Sequence, residues 1–362
     1  MADLTSADLL KITRNAYKRI QAGKARRVDI RKRPLIRFLE SRKEDTTFEG
    51  GAIVYPIMQS FNDAGTTWVG DTEIEAFDPD FSLNLEFGYF NFTTAITIKH
   101  DMLTRLGFSV IPNGDGLLES RAMGYDQAYK IQNYVKNLVL GFVDNHDKFL
   151  DRLLHRAGTA QSTDPVGVLG ILSQTPTTGN VGGLSRATYA ILQNQTEFSM
   201  ATGAGGNFRV LFTQGLRLAN QYSAANGVPG EVDFFVAGKA FIDAYTQWGE
   251  ANGYRVTRDL TTPVKKYDWA IPDSAVQFEN IPIVWDPTME DVDTVETYSP
   301  TCTKMCIGIN SATWHYKALR GKYKKLTSPA DPPKQRVSRE DIDTTAHIAC
   351  DAPGSNILFG TT

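Results

Sequence analysis

The sequence predicts an α+β protein made of a polar basic arm, a long two-stranded β-loop, one long helix and a mixed α/β layer. Three observations carry this reading. No proline occurs between Leu117 and Arg156, and Ala128, Ile131, Val135, Leu138, Phe142, Phe149 and Leu153 recur there at helical steps, with a gap at His146. Phe81, Leu83, Leu85, Phe87 and Tyr89 alternate with polar residues, as a half-buried strand requires. Beyond residue 207, short apolar runs alternate with amphipathic stretches, the pattern of an α/β layer.

Taken in order, residues 1–45 read as an arm rather than a core. Asp3 to Gln21 fits an amphipathic helix, after which Lys24, Arg26, Arg27, Arg31, Lys32, Arg33, Arg37, Arg42 and Lys43 crowd together, opposed by Asp29, Glu40 and Glu44. In residues 46–98 the apolar parity switches beside Gly88, from Phe87 and Tyr89 to Phe90, Phe92, Ile96 and Ile98, so a bulge or bend is expected there. Ala52, Val54, Ile57 and Met58 supply a partner strand, and Ser60 to Pro79 is rich in turn residues. Asp115 is the expected N-cap of the long helix, and Ala157-Gly158 its end. At 1.5 Å per residue that helix spans roughly 60 Å.

Further helices are expected at Phe208–Tyr222 and Lys239–Ala251, the latter with Phe241, Ala244, Tyr245 and Trp248 inward. Strands are expected at 232–237, 281–285, 305–309 and 346–350. Pro282 marks an edge or a strand start. Pro329, Pro332 and Pro333 read as a stiff linker, and Ile357-Leu358-Phe359 as a short apolar tail.

Composition narrows the function. Hydrophobic residues make up 41% and charged residues 22%, enough for a sizeable core. A net charge of −3 gives no global attraction to nucleic acid. Cys302, Cys306 and Cys350 are too few for a disulfide scaffold and suit a reducing cytoplasm. No apolar run reaches membrane-spanning length.

No catalytic, cofactor or metal constellation emerges. His146 and His155 lie nine residues apart, not at the i, i+4 spacing of a helical metal pair, so both read as structural. Cys302 and Cys306 lack a second pair and read as buried or interface thiols. Gly238-Lys239 resembles the end of a phosphate-binding loop, but Asp233 stands where the first glycine belongs and Ala240 where Ser or Thr belongs. Gly203 to Gly206 follows no strand and reads as a flexible loop. The acidic stretch Asp286, Glu290, Asp291, Asp293 and Glu296 lacks calcium-loop spacing and reads as solvated. The expectation is a non-enzyme whose surface is its function.

The order of parts resembles the major capsid proteins of tailed bacteriophages, with their Hong Kong 97-type fold. The likeness rests on Gly51 to Ile98 with Trp68-Val69-Gly70, on 232–245 (VDFFVAGKAFIDAY) and on 281–287 (IPIVWDP). It implies an N-terminal arm at 1–45, an extended loop at 46–98, a peripheral domain at 99–160 and 331–362, and an axial domain at 161–330. It further implies hexamers and pentamers closing into an icosahedral virion shell around double-stranded DNA bound without sequence preference. Portal, scaffolding and cement or decoration proteins are the implied partners, with synthesis in the bacterial cytoplasm and no membrane. Some members cross-link a lysine of the extended loop to a neighbour's asparagine. No lysine lies between Lys43 and Lys99, so that weld is not expected. So short a stretch before the loop also implies that scaffolding is a separate protein or has been removed. The competing readings are an encapsulin-like shell enclosing cargo enzymes, an enzyme with its cleft in 161–330, and a DNA-binding module led by the arm.

Overall fold

The computed structural model describes residues 4–5, 33–47, 51–57, 83–99, 110–111, 125–161, 163–201, 206–252, 276–279, 281–327 and 337–361, and side chains within 125–136 are left aside. Helices are α1 (Pro34–Ser41), α2 (Tyr125–His155), α3 (Val168–Ile171), α4 (Phe208–Ala225), α5 (Lys239–Ala251) and α6 (Thr288–Val292). The early strands are β1 (Leu4–Thr5), β2 (Lys43–Thr46), β3 (Ala52–Ile57), β4 (Leu83–Gly88), β5 (Phe90–Lys99) and β6 (Val110–Ile111). Then come β7 (Asn180–Val181), β8 (Leu184–Ser185), β9 (Gln195–Met200), β10 (Phe234–Ala237), β11 (Val276–Phe278) and β12 (Ile281–Trp285). The last are β13 (Met305–Ile309), β14 (Trp314–Leu319), β15 (Lys325–Thr327), β16 (Val337–Cys350) and β17 (Ile357–Thr361).

The chain divides into two compact units, one of residues 1–30, 91–150 and 318–346, the other of 31–90, 151–317 and 347–362. In the first, β5 runs beside β16. Thr93 donates to Asp343 Oδ1 at 2.8 Å and Thr345 to Asn91 Oδ1 at 2.7 Å. Strand β15 closes antiparallel on β16, Leu326 opposite Ile342. Helix α2 buries Val139, Phe142, Val143 and Leu150. His146, the gap in the apolar pattern, is buried on the same helix. Thr94 and Thr344 hydroxyls meet its two ring nitrogens at 2.7 and 2.9 Å, and Phe92 packs over it at 4.9 Å. Asp147 beside it pairs with Lys324 Nζ at 2.7 Å. Phe149, expected inward, is 41% exposed. The buried face is therefore displaced from the purely apolar stripe, because satisfied polar groups occupy part of it.

In the second unit a six-stranded mixed sheet runs in the order β11-β12-β10-β13-β17-β9. β10 is parallel to β12 and antiparallel to β13, and β17 is parallel to β9. Pro282 stands at the second position of β12 opposite Gln277 of β11, so β12 is one place in from the edge. Helices α4 and α5 supply Phe208, Phe212, Phe241 and Trp248 to the core on this sheet. Phe212 lies 4.2 Å from Phe278 edge-on and 4.3 Å from Phe359. Each such aromatic contributes about 1.5–3 kcal/mol by burial. At Gly215 a Cβ would meet Ile357 and Phe359 at 2.6 Å, so only glycine lets α4 approach β17. The tail at 357–359, grouped by sequence with the peripheral segment, is thus an interior strand of this sheet, made possible by its wholly apolar character.

The arm also needs correction. Residues 34–41 form α1 and bury Leu35, Ile36, Phe38 and Leu39, with Pro34 at the first helical position. Phe38 stacks on Phe234 at 5.6 Å, and Arg42 covers its ring while donating to Ser311 Oγ at 2.8 Å. Leu4 and Thr5 pair in parallel with Val110 and Ile111, where a helix was expected from Asp3. The rest of that expected helix, Asp115, the turn-rich Ser60–Pro79 and the prolines at 329–333 lie outside the described residues.

Candidate functional site

The last turn of α2 carries Asp151 and His155, one turn apart, and the segment after β12 carries Asp286 beside them. All three are fully buried. His155 Nδ1 lies 2.8 Å from the Asp151 carbonyl oxygen and 3.6 Å from Asp151 Oδ1. Its Nε2 lies 3.2 Å from Asp286 Oδ2. Thr288 binds both acids, its hydroxyl donating to Asp151 Oδ2 and its amide to Asp286 Oδ1 at 2.9 Å. Burial and the neighbouring Asp286 raise the Asp151 carboxyl above the ordinary range. Burial works against charge on His155, but Asp286 and Asp151 outweigh it and raise the imidazole. Two buried carboxylates and an imidazole that converge can hold a cation or bind a proton firmly. Spacing rules sought two histidines at i, i+4. The pair present at that spacing is Asp–His, and its third member is distant in sequence.

The acidic stretch 286–296, expected as a solvated loop, contains α6 and buries Asp286 and Glu296. Glu296 closes the chain that leaves α2. Its carboxylate accepts from the amides of Ala157 at 2.9 Å, Thr159 at 3.1 Å and Ala160 at 3.2 Å, and from the Tyr298 hydroxyl. Arg156 Nε reaches it at 3.3 Å. Gly158, at φ +80°, turns the backbone so that these amides converge, and it stands where the sequence placed the helix end.

Strands β3 and β4 pair antiparallel from Ala52↔Gly88 to Ile57↔Leu83, forming the two arms of the expected β-loop. Gly88 is the last residue of β4, and Tyr89 alone separates β4 from β5. Tyr55 anchors the pair. Its ring stacks on His315 at 4.9 Å and on His347 at 5.8 Å, under the Lys317 ammonium at 5.1 Å.

Cys302, Cys306 and Cys350 are free and buried, and burial pushes all three thiols up, Cys350 to about 12. None is an activated nucleophile. Gly238 is a packing glycine, since a Cβ there would lie 2.3 Å from the Thr303 carbonyl oxygen. No described helix is long and apolar enough to cross a membrane.

No protein-family model matches the sequence, and no curated protein does. Solved structures do match. The capsid asymmetric unit of cyanophage A-1(L) superposes at TM-score 0.59 and 13% identity, over 91% of this chain and 92% of that one. The chain has the fold of a phage capsid protein. A structure from Mycobacterium phage Ogopogo superposes at TM-score 0.53 and 9% identity, over 90% and 91% of the two chains. One from Gordonia phage Cozz does so at 0.52 and 10%, over 91% and 87%. The paired β3–β4 arms, the long α2 and the mixed sheet are the elements the sequence reading assigned to this Hong Kong 97-type architecture.

Proposed function

We propose that this protein is the major capsid subunit of a tailed phage, assembling as hexamers and pentamers into an icosahedral shell around double-stranded DNA. The observation that carries the proposal is likeness to the cyanophage A-1(L) capsid chain along nearly the whole length of both chains. Details of the surface agree with an assembling role. Helix α4 presents Val210 and Leu218 to solvent, 57% and 51% exposed, although the other face of the same helix fills the core. The β3–β4 pair is anchored at Tyr55 and Phe87, and its far end at Ile57 and Leu83 leads into the loop that would reach a neighbour. Lysine is absent between Lys43 and Lys99, so the shell is held by burial and strand pairing or by a separate cement protein. Portal and scaffolding proteins complete the assembly. Many weak contacts per subunit make such a shell durable.

The test is electron microscopy of the purified full chain, alone and with its co-expressed scaffolding protein. Closed shells tens of nanometres across are expected. A small oligomer that never closes under any condition overturns the proposal, and shells filled with cargo enzyme overturn its phage part. Replacing residues 58–82 by a two-residue turn keeps Ile57 opposite Leu83. That variant is expected to fold and fail to assemble.

A further inference from the structure

Around His155, each of three side chains has one atom tied and one atom left over. Asp151 Oδ2 accepts the Thr288 hydroxyl, Asp286 Oδ1 accepts the Thr288 amide, and His155 Nδ1 faces the Asp151 carbonyl oxygen at 2.8 Å. What remains is Asp151 Oδ1, His155 Nε2 and Asp286 Oδ2, all closed from solvent and without a hydrogen-bond partner among the described residues. One ligand atom from each residue lies within 4.8 Å of the others, with Nε2 and Oδ2 of Asp286 at 3.2 Å. Two lone-pair-bearing atoms at that distance repel unless a positive species stands between them.

We propose that Asp151, His155 and Asp286 form a structural divalent-metal site, with Zn²⁺ its best fit, that pins the end of α2 to the segment after β12. Ligand atoms around a tetrahedral Zn²⁺ with bonds near 2.0–2.2 Å stand about 3.3–3.6 Å apart, and the His155–Asp286 separation of 3.2 Å is close to the lower end of that range. A histidine ligand commonly donates its second ring nitrogen to a backbone carbonyl, the position Nδ1 holds here. Thr288 orients both carboxylates in the same supporting way. One imidazole and two carboxylates form a donor set that suits Zn²⁺ or Mn²⁺, and a dication adds to the positive charge of the buried Arg33, which already acts on Asp151. The site shares no surface with the subunit contacts proposed above, so it stands or falls independently of assembly.

The test uses the full-length chain, unfolded in urea with chelator, refolded with Zn²⁺ and freed of loose metal by desalting. Mass spectrometry of the metal is expected to find about one Zn²⁺ per chain. Asp286→Asn and His155→Gln, both nearly isosteric, are expected to retain less than a tenth of that. The wild-type melting temperature is expected to fall by several degrees when refolding is done with chelator instead, and those of the variants to stay unchanged. Wild-type protein that retains no Zn²⁺ and no Mn²⁺ overturns the proposal, leaving a proton on His155 as the bridging charge. Equal retention by wild type and folded variants overturns it too, because the metal then sits elsewhere.

Discussion

Tyr55 and His347 stack face to face, ring centres 5.8 Å apart and planes 5° from parallel, at the root of the β3–β4 pair. Burial lowers the His347 imidazole to about 4, with Lys317 and His315 pushing the same way and a contact to the Gly88 carbonyl oxygen opposing them. The folded protein refuses a proton that the unfolded chain accepts below pH ~6.5. Stability is therefore full above that value and is lost as pH falls towards 4. The loss amounts to roughly 2–3 kcal/mol. His347→Phe keeps the ring and removes the titration. Urea unfolding at pH 7 and 4.5 is expected to show a smaller drop for the variant by about that amount. Equal drops would refute the assignment.

The Tyr55 hydroxyl is buried and finds no hydrogen-bond partner among the described residues, and burial raises its ionisation above the ordinary tyrosine range. Leaving such a donor unmet costs about 1–3 kcal/mol. Tyr55→Phe keeps the stack on His315 and His347 and removes the burden. The variant is expected to be at least as stable as wild type, by up to about 1 kcal/mol in chemical unfolding. A clear loss of stability would show that the hydroxyl has a partner.

Glu296 gathers backbone amides from 157, 159 and 160 together with Arg156. Burial alone would raise its carboxyl, but the Tyr298 hydroxyl, the Ala157 amide and Arg156 prevail and hold it below the ordinary range. Glu296→Gln halves the acceptors and removes the charge, at a cost of about 2–4 kcal/mol at neutral pH. A group held low in the folded state gives stability that is present above its unfolded value and lost as pH falls through its folded one. The gap between wild type and variant should therefore close as the pH drops below about 4. A gap that is constant with pH would point to packing instead of charge.

These sites mark where sequence reading succeeds and where it stops. Helices α4 and α5 were legible because each carries its own periodicity and is followed by Asn, and strands β10, β12 and β13 because each is a short apolar run. Helix α1 was hidden because Arg33, Arg37 and Arg42 surround a stripe of only Leu35, Ile36, Phe38 and Leu39, and composition outweighed the pattern. The inward face of α2 was misplaced because His146 and Asp147 are buried polar residues, and their partners Thr94, Thr344 and Lys324 come from distant segments. The Asp151–His155–Asp286 cluster was missed for the same reason: only the fold brings residue 286 to the helix.

Arg186 is almost wholly buried, and among the described residues its guanidinium donates to carbonyl and amide oxygens with no carboxylate among them. Its guanidinium donates to the carbonyl oxygens of Gly170 at 2.9 Å, Ile171 and Leu192 at 3.3 Å, and to Asn194 Oδ1 at 3.1 Å. A planar fork can meet acceptors spread over α3 and the 192–194 segment, whereas an ammonium reaches fewer of them. Arg186→Lys is expected to cost about 2–4 kcal/mol in urea unfolding, nearly as much as Arg186→Met. If lysine restores stability, charge alone holds α3 and the 192–194 segment, and the fork is unimportant.

Leu218 tests the assembly reading at one side chain. It is 51% exposed on α4, two turns beyond the exposed Val210, while Phe212, Leu216 and Ala219 of the same helix are buried. An aspartate at 218 therefore has water available in the unassembled subunit, and the urea midpoint of that subunit should move little. Within a subunit contact the same aspartate would forfeit about 1.5–3 kcal/mol of leucine burial. Every ~1.4 kcal/mol shifts an association constant tenfold, and the loss repeats at each copy of the contact. Leu218→Asp is thus expected to raise the concentration needed for shell closure by tenfold or more, read by sedimentation alongside the unfolding curve. Shells that close at the wild-type concentration would remove this face of α4 from the assembly contacts and leave the β3–β4 pair as the place to look next.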